Sequence, residues 1–403
     1  MPAKVMMVPL VGYAVERSEY VNTRAMEPNR RFRNSLPASH WSAISEMPQR
    51  ASATEASVPS GNGAAPAAAI AKRVGLRYVS RDKLTIRRVR RGKGWSYLRG
   101  SGRVIRDTSV VRRLARLAVP PAYEAVLYAD DPAAHLQAVG RDAAGRLQYR
   151  YHPDWEKVRE QRKAGRLAHL AEALPRIRRS LGQYLNGTEP SRELALAAVI
   201  ELVGCSAIRA GRETYLKQRG TRGAATLLKS NVTVDGDRIS LRFRGKGGKI
   251  IAKDVKCPRL VGALECMRAL PGRRLFQYRA ENGEVREVRA HDANTFLREI
   301  AGVPISLKDF RTLIASASIL DLLSRVSPAR SDRGRRKQVM TAIRAAADNL
   351  HNTPAICRRS YVHDTVIAAF EDGVLERFSD ALAGKSSPTQ RAELLAQIVA
   401  PAA

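Results

Sequence analysis

Residues 352–364, NTPAICRRSYVHD, set Tyr361 directly behind a short basic run containing Arg358 and Arg359. A phenol has an unperturbed pKa of about 10, and fixed cations beside it favour the phenolate. Such a tyrosine can attack an anionic centre and form a covalent intermediate. Four more polar side chains stand at structural punctuation marks. Arg209 ends an apolar run in SAIRAGRETY, and Lys246 sits between glycines in RGKGGK. Arg311 lies early in a helical pattern in ISLKDFRT, and Asn352 precedes a capped helix start. Each has a plain explanation. An arginine at a helix end complements the dipole, a turn lysine is solvated, an arginine on a basic helix face is ordinary, asparagine is a common turn residue, and a helical tyrosine packs in a core. Together they fit one reaction, attack on a phosphodiester. Two arginines and an amide donor stabilise charge on the non-bridging oxygens without a metal. A lysine can protonate the leaving oxygen.

Several kinds of element must position these groups. Short β-like stretches fill residues 76–156: LRYVS, LTIRRVRRG, WSYLRG and LQYRY, with a turn at Asp142–Gly145. Aromatics (Trp95, Tyr97, Tyr149, Tyr151, Trp155) are interleaved with basic residues there, which suits either a small basic barrel or phosphate and base contact. Helical patterns dominate from about residue 160. Pro175 is expected to break or kink the first, and Ser191 caps an apolar, central one. SNVTVDGDRISLRFRGKGGKIIAKDV reads as three strands joined by turns at Asp235–Asp237 and Gly245–Gly248. Thr353 as N-cap and Pro354 at the first helical position start the last pattern.

The expected fold class is α+β. A small β-rich N-terminal domain (73–157) precedes a mostly α-helical catalytic domain (158–384) with a three-stranded β-sheet insert. Residues 1–72 are Ala, Ser, Pro and Gly rich and are expected to be a disordered extension. Residues 385–403 are expected to be a weak C-terminal tail.

Charge narrows the partner. Among 403 residues, 70 Lys and Arg face 38 Asp and Glu, a net charge of +32. Such a field calls for a polyanion, and nucleic acid is expected over a membrane surface. No apolar run is long enough to span a bilayer, and no secretory signal is visible. The four cysteines (Cys205, Cys257, Cys266, Cys357) lack CxxC spacing and read as reduced thiols rather than zinc ligands.

In series, these motifs resemble the type IB DNA topoisomerases, in the short bacterial and poxvirus-type form. The resemblance runs from about Leu76 to Asp372. VPPAYEAV and LQAVGRDAAGRLQYRYHPDW are similar to that family's amino-terminal domain. IRAGRETYLKQRGTRGAATL, FRGKGGK, KDFRT and NTPAICRRSYVH fall in the family's order. The resemblance implies the tyrosine recombinase and type IB topoisomerase-like catalytic fold. It implies Tyr361 as nucleophile joining to a DNA 3′ phosphate, Arg209 and Arg311 as ligands of the scissile phosphate, and Lys246 as general acid. Asn352 stands where poxvirus members have His and bacterial members Asn; His351 is one residue out of register. Arg146, Gln148, Tyr149, Tyr151 and Tyr215 fall on DNA-contacting positions, and Arg358 is expected to contact DNA as well. No cofactor or metal is required by this scheme. Double-stranded DNA is the expected partner, a monomer suffices, and the expected location is the cytoplasm, with the nucleoid. Two alternatives remain. A tyrosine recombinase or integrase shares the constellation, but usually has His three residues before the second Arg, where Lys308 stands. A catalytically silent DNA-binding scaffold would keep the fold alone.

Overall fold

A computed structural model describes residues 64–378 and 388–399. Two units are joined by one long helix. The first is a five-stranded antiparallel sheet of order β2-β1-β3-β4-β5. Its strands are β1 (Ile86–Arg91), β2 (Gly94–Leu98), β3 (Glu124–Tyr128), β4 (Leu136–Arg141) and β5 (Leu147–Tyr151). Helix α2 (Thr108–Arg116), capped by the Asp107 carboxylate, places Leu114 against Ile86, Tyr97, Val126 and Tyr128. The segment LRYVS forms no strand; Arg77 makes only an isolated bridge to Ala134.

Helix α1 (Ala64–Arg73) corrects the expectation of disorder for 64–72. Its alanines have high helix propensity, and Ala67 and Ala71, one turn apart, pack on Trp155 and Val158. Residues 1–63 lie outside the described residues. Trp155 and Val158 open α3 (Trp155–Leu185), whose later turns bury Leu167, Leu170, Leu174 and Leu181 in the main hydrophobic core. The helix therefore runs straight across the expected boundary at 157. It is roughly 45 Å long at the usual rise per residue. Pro175 lies inside it without ending it, so a break there is corrected.

The second unit is built around two helices buried on nearly every side. These are α4 (Arg192–Ser206), capped by Ser191, and α8 (Leu307–Leu323). Around them pack α6 (Pro258–Arg268), α7 (Ala290–Ala301), α9 (Asp332–Asn349), α10 (Pro354–Tyr361) and α11 (Asp364–Glu371), while the short α5 (Glu213–Arg219) buries no residue. The expected three strands are present in the order β6 (Val232–Asp235), β7 (Arg238–Arg244), β8 (Ile250–Lys256), beside a small β9 (Gln277–Arg279) and β10 (Val285–Glu287) pair. The expected weak tail is corrected in part: α12 (Pro388–Val399) buries Ala392 and Leu395 in the core cluster. Its apolar residues recur at helical spacing, a signal too short to separate from loop composition by sequence alone.

Candidate active site

Tyr361 is the last residue of α10, a helix started by Pro354 and by the Thr353 hydroxyl, which accepts from the Ile356 amide at 3.3 Å. Its ring is 7% exposed. The peptide oxygens on either side of the turn are held from other elements. Ser316 Oγ on α8 donates to the Tyr361 carbonyl at 3.0 Å, and Lys163 Nζ on α3 donates to the Val362 carbonyl at 2.7 Å. Burial alone would raise the phenol pKa. The Arg311 guanidinium, 5.0 Å from the ring centroid, outweighs it together with Arg209 and Lys308, and the phenol lies below its ordinary value.

Arg311 sits one turn into α8, behind a capping box in which Ser306 and Asp309 satisfy each other's backbone amides. Its side chain is buried, with Nη1 donating to the Ala207 carbonyl and Nη2 to the Leu350 carbonyl at 3.1 Å. Both carbonyls belong to turns with a non-glycine residue at positive φ, Ala207 itself (55°) and His351 (49°). Left-handed conformations at such residues cost about 1 kcal/mol or more and persist where surroundings impose them. Arg311 Nε is buried with no partner. Among the described residues no carboxylate pairs with Arg311 or Arg209.

Arg209 leaves the end of α4, and its backbone is pressed against Gly223, where a Cβ would meet the Arg209 carbonyl at 2.3 Å. Its Nη2 donates to Asn352 Oδ1 at 2.5 Å. A guanidinium can only donate, so the amide orientation is fixed and Asn352 Nδ2 faces away, buried and without a partner. Tyr361, Arg209, Arg311 and Asn352 are thus brought together. Lys246 is not: it is exposed in the β7–β8 turn, with no described contact to the other four.

The expected DNA-facing residues lie mostly on β5 and its turn. Arg146 and Gln148 both bond to Asp142 Oδ2, and that pairing, Arg146 first, holds the carboxyl well below the usual carboxylate range. Tyr149 and Tyr151 stack at 6.2 Å, Tyr151 stacks on Trp155 at 6.0 Å, and Arg159 lies over Tyr151. Tyr215, on α5, is exposed under Arg219. Arg358 is half-buried and paired with Asp364, while Arg359 is exposed.

Sequence reasoning missed Lys163, Ser316 and Lys253, and it set His351 aside as out of register. Lys253 had a readable signal, since it occupies the inward position between Ile251 and Val255 on an alternating strand. The contact from Lys163 spans 199 residues and had none. Chemically, the site is a buried phenol in a field of cations, beside two orphaned donors. Donors of this kind suit an anion with several acceptor oxygens.

Comparison with known proteins bears on which anion. Residues 152–382 match the family model for the catalytic core of eukaryotic DNA topoisomerase I, and residues 94–142 match that for the N-terminal domain of bacterial DNA topoisomerase IB. The chain is 27% identical over 272 residues to the DNA topoisomerase 1B of Acanthamoeba polyphaga mimivirus, covering 66% of this chain and 81% of that protein. It is 27% identical to DNA topoisomerase 1 of rabbit fibroma virus over 57% of this chain and 70% of the relative. It is 24% identical to the vaccinia virus (strain Copenhagen) DNA topoisomerase 1B over 58% and 72%. Among the described residues no helix is long and apolar enough to cross a membrane.

Proposed function

The chain belongs to the type IB DNA topoisomerases, and from that premise we propose that it relaxes supercoiled duplex DNA through a 3′-phosphotyrosyl intermediate, without ATP or metal. The observation that carries this reading is the pair of buried, unpartnered donors, Arg311 Nε and Asn352 Nδ2, beside a phenol held below its ordinary pKa. A scissile phosphate supplies the acceptors they lack. Tyr361 Oη attacks phosphorus, the bond to the 5′ oxygen breaks, and a phosphodiester replaces a phosphodiester. Resealing therefore needs no nucleotide. Arg209 and Arg311 neutralise the charge that builds on the non-bridging oxygens. Asn352 adds a neutral donor where a histidine would add a charged one.

Lys246 is the general acid of this scheme, delivering its proton to the leaving 5′ oxygen. It reaches the site when DNA lies along the β7–β8 hairpin. Arg146, Gln148, Tyr149, Tyr151, Tyr215 and Arg358 contact the duplex around the site. Arg146, Gln148 and Arg358 exchange their present carboxylate partners, Asp142 and Asp364, for DNA. One chain holds every group the reaction uses, so a monomer suffices. A protein of this charge acting on duplex DNA resides in the cytoplasm with the nucleoid.

The test is Tyr361→Phe on a nicked duplex labelled at the 5′ end of the scissile strand and on supercoiled plasmid in chelator. The variant is expected to bind DNA, to trap no covalent adduct and to relax nothing, while the wild type relaxes both signs of supercoil. Relaxation by the variant at the wild-type rate would remove Tyr361 as nucleophile.

A further inference from the structure

The catalytic interior holds an ammonium that this reaction does not use. Strand β8 alternates, and its inward positions are Ile251, Lys253 and Val255. The middle one is expected to be apolar, yet Lys253 stands there, 7% exposed. Its Nζ donates to the Asn349 carbonyl at 2.8 Å and to Asn349 Oδ1 at 2.7 Å. Asn349 is the last residue of α9, where helix carbonyls lack intrahelical partners and a cation is favoured. The next three residues all face the active site. The Leu350 carbonyl accepts from Arg311, and Asn352 Oδ1 accepts from Arg209. Between them His351 takes φ 49° and buries an Nε2 without a partner. A four-residue turn is thus pinned by three cations from three parts of the chain.

We propose that Lys253 is a positioning residue for DNA cleavage: its ammonium holds the 349–352 turn, and the turn sets Arg311 and Asn352 at the scissile phosphate. This rests on the reading that Tyr361, Arg209, Arg311 and Asn352 form the phosphodiester site. Lys253 acts through Asn349 and touches no substrate.

Its grip depends on charge. Facing it are Arg311 from α8, Cys205 from α4 and His351 from the turn. Burial, reinforced by Cys257 and Glu201, holds the Cys205 thiol well up, so it stays neutral. Burial, followed by Lys253, Arg311, Arg209 and Lys249, pushes His351 down to about 4, so it is neutral too. Arginine does not deprotonate. Burial first, then Arg311, pushes Lys253 down to about 7. Lys253 is therefore the member of this cluster that changes charge near neutrality. A charged donor bonds roughly twice as strongly as a neutral one, so the hold is firmest below about pH 7 and slackens above it.

The experiment measures single-turnover cleavage of a nicked suicide duplex by the full chain, wild type against Lys253→Met, from about pH 5.5 to pH 9, at a temperature where both are folded. Loss of one hydrogen bond to a charged group is expected to slow cleavage about ten- to a hundredfold at the acid end. The deficit should narrow as pH passes about 7, with unchanged affinity for uncleaved duplex. Asn349→Ala, a milder change, should reproduce part of the loss and add little on top of Lys253→Met. A ratio within about twofold of unity, or a deficit flat across pH, overturns the proposal. If Lys253→Met does not fold, a wild-type cleavage rate for Asn349→Ala overturns it as well. Tyr361→Phe in the same assay separates the two claims. An adduct there removes the underlying site whatever Lys253 does. No adduct there, with a normal rate for Lys253→Met, removes this proposal alone.

Discussion

Arg311 acts on two partners. On the proposed reading its Nε, buried without a partner, donates to a phosphate oxygen, and its charge offsets the effect of burial on the Tyr361 phenol. Replacing it by Gln removes the charge and the two Nη donors, and leaves one amide nitrogen near the position of Nε. Burial is the largest influence on the phenol and raises its pKa, while Arg311 is the first of those that lower it. Arg311→Gln should therefore raise the phenol's pKa. The shift is read as the tyrosinate absorbance lost in Tyr361→Phe, titrated toward alkaline pH. Cleavage should fall about a hundred- to a thousandfold, the usual loss for one preorganised donor. An unmoved phenol titration would show that Arg311 acts on phosphate alone. The residue types of this site were legible because the chemistry demands them. Their partners were not, since the Ala207 and Leu350 carbonyls that hold Arg311 carry no side-chain signature.

At the level of elements, Tyr361 is held by the helix that also carries the β-rich domain. α3 begins against α1 with Trp155 and Val158, and eight residues into it Lys163 reaches the Val362 carbonyl. Glu160 Oε1 lies 2.5 Å from the Lys163 ammonium, and the Glu160 carbonyl lies 3.3 Å from His363 Nε2. The peptide after Tyr361 is therefore tied to the linking helix. Lys163→Met leaves the Val362 carbonyl without its donor and Glu160 without its cation. Cleavage is expected to slow about tenfold, the value of one charge-assisted bond, with duplex affinity unchanged. A rapid-quench cleavage time course and an equilibrium binding curve check this. Weakened binding at a normal cleavage rate would place Lys163 at the DNA surface instead. Element signals in the sequence were uneven for a physical reason. The strands around Asp235–Asp237 and Gly245–Gly248, and the helices capped at Ser191 and Thr353, announce themselves through local turn and cap chemistry. The continuity of α3 through Pro175 does not, because packing of Leu170, Leu174 and Leu181 overrides the proline. α1 was hidden in the same way, since a two-alanine stripe gains its burial only when Trp155 is already in place.

For the whole molecule the governing quantity is charge. The net +32 is read directly from composition, and exposed cations lie on both units: Arg87, Arg90 and Arg91 on β1, Lys217 and Arg219 on α5, Arg333, Arg336 and Lys337 on α9. A duplex gripped from both sides must shed the counterions of every phosphate these residues neutralise. If the two units close on DNA together, about six to ten phosphates are engaged, and log affinity should fall with log salt at a slope of about −5 to −9. Affinity then drops about a thousandfold or more between 50 and 200 mM salt. Fluorescence anisotropy of a labelled duplex with Tyr361→Phe isolates this term, because no covalent adduct can hold the complex at high salt. Arg146 offers an internal control. It faces an exposed turn and is already paired with Asp142, so Arg146→Ala should shallow the slope by about one unit if it trades that partner for a phosphate. A slope near −2 for the parent variant would mean that only one unit meets the duplex, and the clamp would have to be abandoned even if Tyr361 proved to be the nucleophile.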